Sequence, residues 1–209
     1  MRPAFAAAAA SLLTVIAGCA NVLLGPEAEP PETYRLGVPA IAMPAAARLP
    51  LALIVARPRA PQSLDTDRIA VAQPGLRFDH YNGLRWSEPA PEMLQSLLVG
   101  SLQASGRYEA VLSAPSRVPS DLQLDVELQR FEASYATPGA APVVHVQLQL
   151  TLVDTGRGQR LSSLVVSGQS PAAADRRGEV MAAFERATTE ALGGVATWLA
   201  TVPSPRPDS

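Results

Sequence analysis

The sequence predicts an α+β fold in which a mixed, largely antiparallel sheet carries two long helices packed on one face. Two observations predict it. Apolar residues alternate with polar ones over residues 122–128 and 144–152, as they do in half-buried strands. Apolar residues recur at helical spacing over residues 91–105 and 176–200. The expected order of elements is ββββ-α-ββββ-α.

The first strands precede the first helix. Residues 51–55 are a continuous apolar run, which is typical of a strand buried on both faces. Residues 68–72 are a second, shorter strand, which ends at Pro74-Gly75. Asn82-Gly83 separates residues 78–81 from residues 84–86, and Asn-Gly favours the positive φ angles of a type I′ turn. We therefore expect a β-hairpin that turns at Asn82-Gly83.

The later elements are more regular. Gly106 is well placed to end the first helix, and residues 108–112 form the next strand. Residues 122–128, 144–152 and 159–169 are joined by short loops, which predicts an antiparallel meander. The second helix packs on the sheet through an apolar stripe that comprises Val180, Phe184, Ala187, Ala191, Val195 and Trp198.

The first 18 residues are predicted to be a signal peptide. Arg2 precedes an apolar run of about 15 residues, which is shorter than the roughly 20 that span a bilayer as a helix. Ile16-Ala17-Gly18-Cys19 resembles the lipobox of bacterial lipoproteins, which implies that Cys19 becomes the first mature residue and carries acyl chains. The alternative is a signal peptide with an incidental cysteine. We favour lipid attachment at Cys19, because it is the only cysteine of the 209 residues and has no disulfide partner.

The rest of the chain is predicted to be one domain with two tails. Residues 19–50 are rich in proline and alanine and form the lipidated N-terminus and an extended tether. Tyr34-Arg35-Leu36 interrupts this tether, either as a short strand or as a docking contact. The α+β domain spans residues 51–200, and residues 201–209 are a disordered tail with three prolines.

Composition and motifs argue against nucleic-acid binding and catalysis. The net charge of −2 provides no basic surface for phosphates, so we expect no nucleic-acid partner. His80 and His145 belong to no metal-spaced motif, and a single cysteine excludes a structural zinc site of the cysteine type. We interpret His145 as a solvated strand histidine, and Asp65 and Asp67 as solvated loop carboxylates. No nucleotide-binding or nucleophile-elbow motif occurs, so we expect no enzyme, no cofactor and no metal.

Aromatic residues are the remaining candidates for a binding site. Phe78, Tyr81 and Trp86 lie within nine positions of a chain with few aromatic residues, and Tyr34 lies in the tether. Tyr34, Tyr81 and Trp86 are candidate partner contacts, since Tyr and Trp are enriched at binding hot spots. The alternative, which we favour for the hairpin, is inward packing, because alternation places at least one of these rings on the core face.

Taken in order, these features resemble the ABC-type transport auxiliary lipoprotein component family, the PqiC-like lipoproteins of MCE lipid-transport systems. The resemblance covers residues 12–200 and depends on order and spacing. Its landmarks are the lipobox Cys19, Tyr34-Arg35-Leu36, the strand 51–55 with Arg57-Pro58, residues 64–69, Tyr81 and Trp86, residues 94–108, residues 121–131, residues 144–154 and Trp198-Leu199.

The resemblance implies a non-enzymatic role in the cell envelope. It implies a lipid anchor in the outer membrane, on its periplasmic side, and a partner MCE-domain protein that works with a permease and an ATPase in lipid transport. A ring-shaped homo-oligomer that receives the end of the MCE assembly is a further implication. The alternative function is a structural lipoprotein of envelope assembly without lipid cargo. A hydrolase is the third hypothesis, and no motif supports it.

Overall fold

The structure is a computed structural model that describes residues 30–41 and 48–203. Within these residues, eight strands form one mixed sheet and two helices pack against it. In chain order the elements are β1 (Glu32–Tyr34), β2 (Leu49–Val55), β3 (Arg68–Gln73), β4 (Arg77–Trp86), α1 (Ala90–Ala104), β5 (Tyr108–Ser113), β6 (Leu122–Ser134), β7 (Val143–Asp154), β8 (Gln159–Pro171) and α2 (Arg177–Thr201).

Strand β6 is the centre of the sheet. One edge of β6 pairs with β7 in antiparallel orientation along its length, and β8 extends the sheet beyond β7. The other edge is shared by two parallel strands: β2 pairs at the start, with Leu53 opposite Leu122, and β3 pairs at the end, with Ala70 opposite Glu132. β5 then adds to β2, while β4 and β1 add to β3. The sheet therefore divides into two branches on one side of β6.

The predicted fold class is confirmed. The long antiparallel pairings of β6, β7 and β8 form the expected meander, and the parallel pairings belong to the two branches. Both predicted helices begin and end within about a residue of the observed positions. Gly106 follows α1 with φ of +67°, as the prediction of a left-handed helix end requires.

The predicted hairpin at Asn82-Gly83 is wrong. β4 continues through both residues, and its pairing with β3 jumps from Arg85 to His80, so that β4 bulges between them. Gly83 has φ of +70°, because a bulge uses the left-handed backbone that Asn-Gly also provides in a turn. The chain reverses earlier, between β3 and β4, where Gly75 and Leu76 have φ of +76° and +63°.

The folded residues begin before Leu51. From Glu32 onward the described chain belongs to one compact unit; β1 pairs with β4, and Leu36 is buried. Of the two alternatives for Tyr34-Arg35-Leu36, the structure shows the short strand, so the predicted tether does not extend freely through residues 32–36. Cys19, the predicted signal peptide and residues 204–209 of the predicted tail lie outside the described residues.

The core lies between the helices and one face of the sheet. α1 packs on β2 and β5, α2 packs on β7 and β8, and the two helices contact each other. Trp86, Phe131 and Phe184 meet at the centre, with ring centroids 5.1–5.4 Å apart. α2 approaches β8 most closely at Gly168, where a Cβ atom would lie 1.8 Å from the carbonyl oxygen of Ala187.

Candidate functional site

The N-terminal segment binds the domain through β1. Glu32 lies opposite Leu84 and Tyr34 opposite Trp86 in a parallel pairing, and the Ser87 amide donates to the Tyr34 carbonyl over 2.8 Å. Because this strand runs parallel to β4, the chain enters the domain in a defined direction. Glu32 follows Cys19 by 13 residues, so β1 is the part of the domain closest in sequence to the predicted anchor.

The same segment continues along α1. The Ser101 hydroxyl donates to the Pro39 carbonyl over 3.3 Å, and Leu36 belongs to the hydrophobic core. Gly100 lets the two pieces of chain approach, since a Cβ atom there would lie 3.1 Å from the methyl groups of Val38. The contacts around residues 34–39 therefore hold the N-terminal segment to the domain on both sides of Leu36.

Tyr34 lies half-buried on β1 and has local partners. Its hydroxyl donates to the Glu32 carboxylate over 2.7 Å, and Glu32 also forms an ion pair with Arg177 at the start of α2. The hydrogen bond to this carboxylate raises the pKa of Tyr34, and the same hydrogen bond lowers the pKa of Glu32. Tyr34 thus helps to position β1 and keeps part of its ring exposed.

Of the two alternatives for Trp86, the structure shows the buried one. Its side chain is 2% exposed and packs against the rings of Phe131 and Phe184. Its indole nitrogen is buried without a hydrogen-bond partner among the described residues. The interpretation of Trp86 as a partner contact is therefore wrong, because the ring occupies the centre of the core.

Tyr81 belongs to a short chain of hydrogen bonds that the sequence did not reveal. Its hydroxyl lies 2.7 Å from that of Tyr135, which donates to the Asp175 carboxylate over 2.6 Å. The three side chains come from the bulge of β4, the residue directly after β6 and the segment before α2. Burial raises the pKa of Tyr81 and of Tyr135, so neither phenol is prepared to act as a base. We conclude that this chain of hydrogen bonds joins three elements.

Replacing Tyr135 with phenylalanine is expected to lower the unfolding free energy by about 1–2 kcal/mol, because two hydrogen bonds are lost. The raised pKa adds a pH dependence: the stabilisation is fully present below the ordinary value of 10 and declines as the pH rises above it toward the raised pKa of the folded state. No lysine titrates in this pH range, because all 17 basic residues are arginine. Urea unfolding at neutral pH and near pH 10.5 measures both effects.

The matched control is Tyr34→Phe, which removes an exposed hydroxyl and is expected to change stability by less than about 0.5 kcal/mol. The wild type should lose more stability between the two pH values than the Tyr135→Phe variant. Equal alkaline losses in the two proteins would contradict the role given to Tyr135.

The histidines and loop carboxylates have structural partners. The His80 ring lies 3.2 Å from the Ser63 carbonyl, and His145 is half-buried on the polar face of β7, where burial lowers its pKa. Asp65 and Asp67 are not simply solvated, which corrects the prediction. Asp65 pairs with Arg57 and Asp67 with Arg85, at 2.5 and 2.8 Å; the hydrogen bonds from Arg85 lower the pKa of Asp67.

Metal ligands and membrane-spanning helices are two further features that a site could use. Over residues 30–41 and 48–203, no group of three or more histidine, cysteine, aspartate or glutamate side chains could hold a metal ion. In the same ranges, no helix is long and apolar enough to span a membrane.

Comparison with known proteins identifies the family. The model of the ABC-type transport auxiliary lipoprotein component matches residues 34–196, from β1 into α2. The chain belongs to this family. The predicted resemblance is therefore confirmed. Members of this family are lipoproteins of the cell envelope that act as accessories of ABC-type transport. The comparison with curated proteins gives no match.

Solved structures agree with the family fold. Protein XCC0632 from Xanthomonas campestris, of the family DUF330, is 28% identical, with a TM-score of 0.74 over 81% of this chain and 94% of that one. An uncharacterised protein is 18% identical, with a TM-score of 0.61 over 80% and 97% of the two chains, and shows the same fold. The descriptions of the family and of these two structures name no enzymatic activity.

Proposed function

We propose that this auxiliary lipoprotein is anchored by acyl chains on Cys19 in the periplasmic leaflet of the outer membrane and docks the MCE assembly of an intermembrane lipid-transport system there. The observation that carries the proposal is the family match over residues 34–196, which spans nearly all of the folded chain. The outer membrane, the MCE partner, the lipid cargo and assembly into a ring of several copies all belong to this proposal.

The lipobox and the residues after it support the anchor and its location. Several acyl chains bind a bilayer firmly, since each buried methylene contributes about 0.8 kcal/mol. Ala20 and Asn21 follow Cys19, and neither is the aspartate that favours retention in the inner membrane. Together, Cys19 and Ala20 predict transfer to the outer membrane.

The position of β1 limits how far the domain can lie from the bilayer. Thirteen residues lead from Cys19 to Glu32, and at most about 3.5 Å per residue gives a reach of roughly 45 Å. A tether that continued to Leu51 would allow more than about 100 Å. Because β1 joins the domain, the domain is held near the membrane, as a docking component requires.

Replacing Cys19 with serine is expected to abolish the membrane fraction of the protein, because serine provides no thiol for the acyl chains. Fractionation of the envelope on a density gradient measures the location, and crosslinking followed by pull-down measures recovery of the MCE protein. Wild-type protein is expected in the outer-membrane fraction with the MCE protein, and mass spectrometry should find co-purified lipid.

The matched control is Ala20→Asp, which keeps the thiol and should move the lipidated protein to the inner membrane. A Cys19→Ser protein that supports transport fully would contradict the anchoring function. Wild-type protein that crosslinks only to envelope-assembly proteins and carries no lipid would favour the structural alternative.

A further inference from the structure

We propose that the tip of the β3–β4 hairpin, residues 74–78, inserts into the lipid bilayer that holds the anchor. The inference deepens the proposed function and rests on it, because it takes the membrane near Cys19 as the surface that the domain contacts. The ligand is a phospholipid bilayer, which the tip enters at the level of the headgroups and the first methylenes.

The tip exposes two large apolar side chains. Leu76 is fully exposed at 103% of its reference surface, and Phe78 is 45% exposed two residues later. A fully exposed leucine contributes nothing to the core, and a pair of such side chains on a protruding turn is typical of a contact surface. Pro74 and Gly75 complete the turn and add no charge.

The backbone at Leu76 strengthens this interpretation. The turn has positive φ at both Gly75 and Leu76. Glycine adopts this conformation freely, whereas a leucine is strained in it. A glycine at position 76 would serve the turn better and would expose no apolar surface. Leu76 is therefore unfavourable in two ways, through its strained backbone and through its apolar side chain in water. An apolar environment for the side chain would explain its presence.

The direction of β1 selects the membrane as the occupant. Glu32 lies opposite Leu84 and Tyr34 opposite Trp86, so β1 runs in the same direction as β4. β4 starts at Arg77, next to the tip. The chain that comes from Cys19 therefore enters β1 from the end of the strand that faces the tip. We take the bilayer that holds Cys19 to lie on that side of the domain, toward the tip of the hairpin.

The distances allow the contact. Leu76 precedes Leu84 by eight residues, which is roughly 25 Å along the strand. The 13 residues from Cys19 to Glu32 reach about 45 Å when extended. The anchor can therefore remain in the bilayer while the tip enters it, with length to spare.

One connection at the same end of the sheet as the tip is uncharged. Ser134 pairs with Ala72 at the base of the hairpin, so the β6–β7 connection, residues 135–142, leaves the sheet at the same end as the tip. This connection contains no charged residue. At the opposite end, where Leu122 pairs with Asp154, the turn after β7 contains Asp154 and Arg157. The β6–β7 connection is therefore the part of this end that can approach lipid without burying charges. Arg77, Asp79 and, after β8, Asp175 and Arg176 lie at the same end.

Arg77 lies between Leu76 and Phe78, and Asp79 follows Phe78, so the tip carries two opposite charges. The long side chain of Arg77 can place its guanidinium among phosphates while Leu76 lies deeper. Because the two charges offset each other, apolar insertion is the main attraction. We therefore expect the contact with neutral as well as anionic lipids.

The test uses the full lipidated protein with Leu76→Cys, reconstituted in vesicles of phosphatidylethanolamine and phosphatidylglycerol. Acylation blocks Cys19, so an environment-sensitive thiol label reacts at position 76. We expect a blue-shifted emission and a roughly twofold loss of fluorescence with a lipid quencher near the headgroup, and less with a quencher near the chain end. Phosphatidylcholine vesicles should give the same result.

The matched control is Val118→Cys. Val118 is 56% exposed and precedes the start of β6, at the end of the sheet away from the hairpin. Its label should stay unquenched. The inference would be overturned if the labels at positions 76 and 118 had the same emission and neither were quenched, in variants that unfold thermally like the wild type. A protein partner or a second copy would then be the occupant of the tip.

Labelling of the wild-type chain distinguishes failure of the proposed function from failure of the inference about the tip. If the wild-type chain takes the label, Cys19 is not acylated and the proposed anchor is contradicted. The tip is then tested in a Cys19→Ser, Leu76→Cys variant that an N-terminal histidine tag holds on nickel-chelating vesicles. Quenching at position 76 supports insertion in that format, and its absence overturns it.

Discussion

Replacing Gly168 with alanine is expected to destabilise the domain by about 3 kcal/mol, at the upper end of the range for overpacked cores. The added Cβ atom would lie 1.8 Å from the Ala187 carbonyl oxygen and 2.8 Å from the Ala191 amide nitrogen. Both are backbone atoms of α2, so no side chain can rotate away. The helix must move off β8 and lose packing along its length. Urea unfolding followed by circular dichroism measures the loss.

The matched control is Gly193→Ala, in α2 itself. No atom lies within 4 Å of the Cβ position there, and alanine in a helix interior is favoured over glycine by about 0.5–1 kcal/mol. The same change of residue should therefore stabilise the protein at position 193 and destabilise it at position 168. A Gly168→Ala protein as stable as the wild type would contradict the close approach of α2 to β8.

Replacing Phe184 with alanine is expected to lower the unfolding free energy by about 3–5 kcal/mol. Phe184 is fully buried, and its ring lies 5.1 Å from that of Trp86 and 5.2 Å from that of Phe131. The substitution removes apolar contacts and leaves a cavity between α2, β4 and β6. Because small domains have a stability of about 5–15 kcal/mol, a large share of the total is lost.

Phe78→Ala is the matched control for Phe184→Ala, since it removes the same side chain from an exposed site on β4. Its effect on stability is expected to remain within about 0.5 kcal/mol. Chemical denaturation of both variants provides the comparison. Similar losses at positions 78 and 184 would show that the aromatic cluster is not the centre of the core.

Regular periodicity explains which elements could be predicted from the sequence. β6, β7 and both helices bury one side and expose the other, so their apolar residues follow the period of the backbone. β1 has three residues and follows prolines, which is too short for a pattern. The sequence does not distinguish the bulge in β4 from a turn, because Asn82-Gly83 allows the left-handed backbone in either setting.

The features of the candidate site also divide into those that depend on local sequence and those that depend on tertiary contacts. The lipobox and the family resemblance follow from residues that are contiguous or ordered in the chain, and the family match confirms the resemblance. The burial of Trp86 and the bond from Tyr135 to Asp175 depend on residues tens of positions apart. The alternation changes phase after Leu128 and continues at Phe131, Ala133 and Tyr135, so no local signal sets Tyr135 apart.

The sequence by itself determined the fold class and the order of most elements, and it predicts the lipobox at Cys19, because each depends on a local pattern of residue types. Only the tertiary structure decided that residues 32–34 add a strand to the sheet and that Leu76 lies at the tip of the hairpin. Strand pairing and exposure depend on which distant segments meet. Local periodicity does not specify which distant segments pair, whereas the packing of the whole chain does.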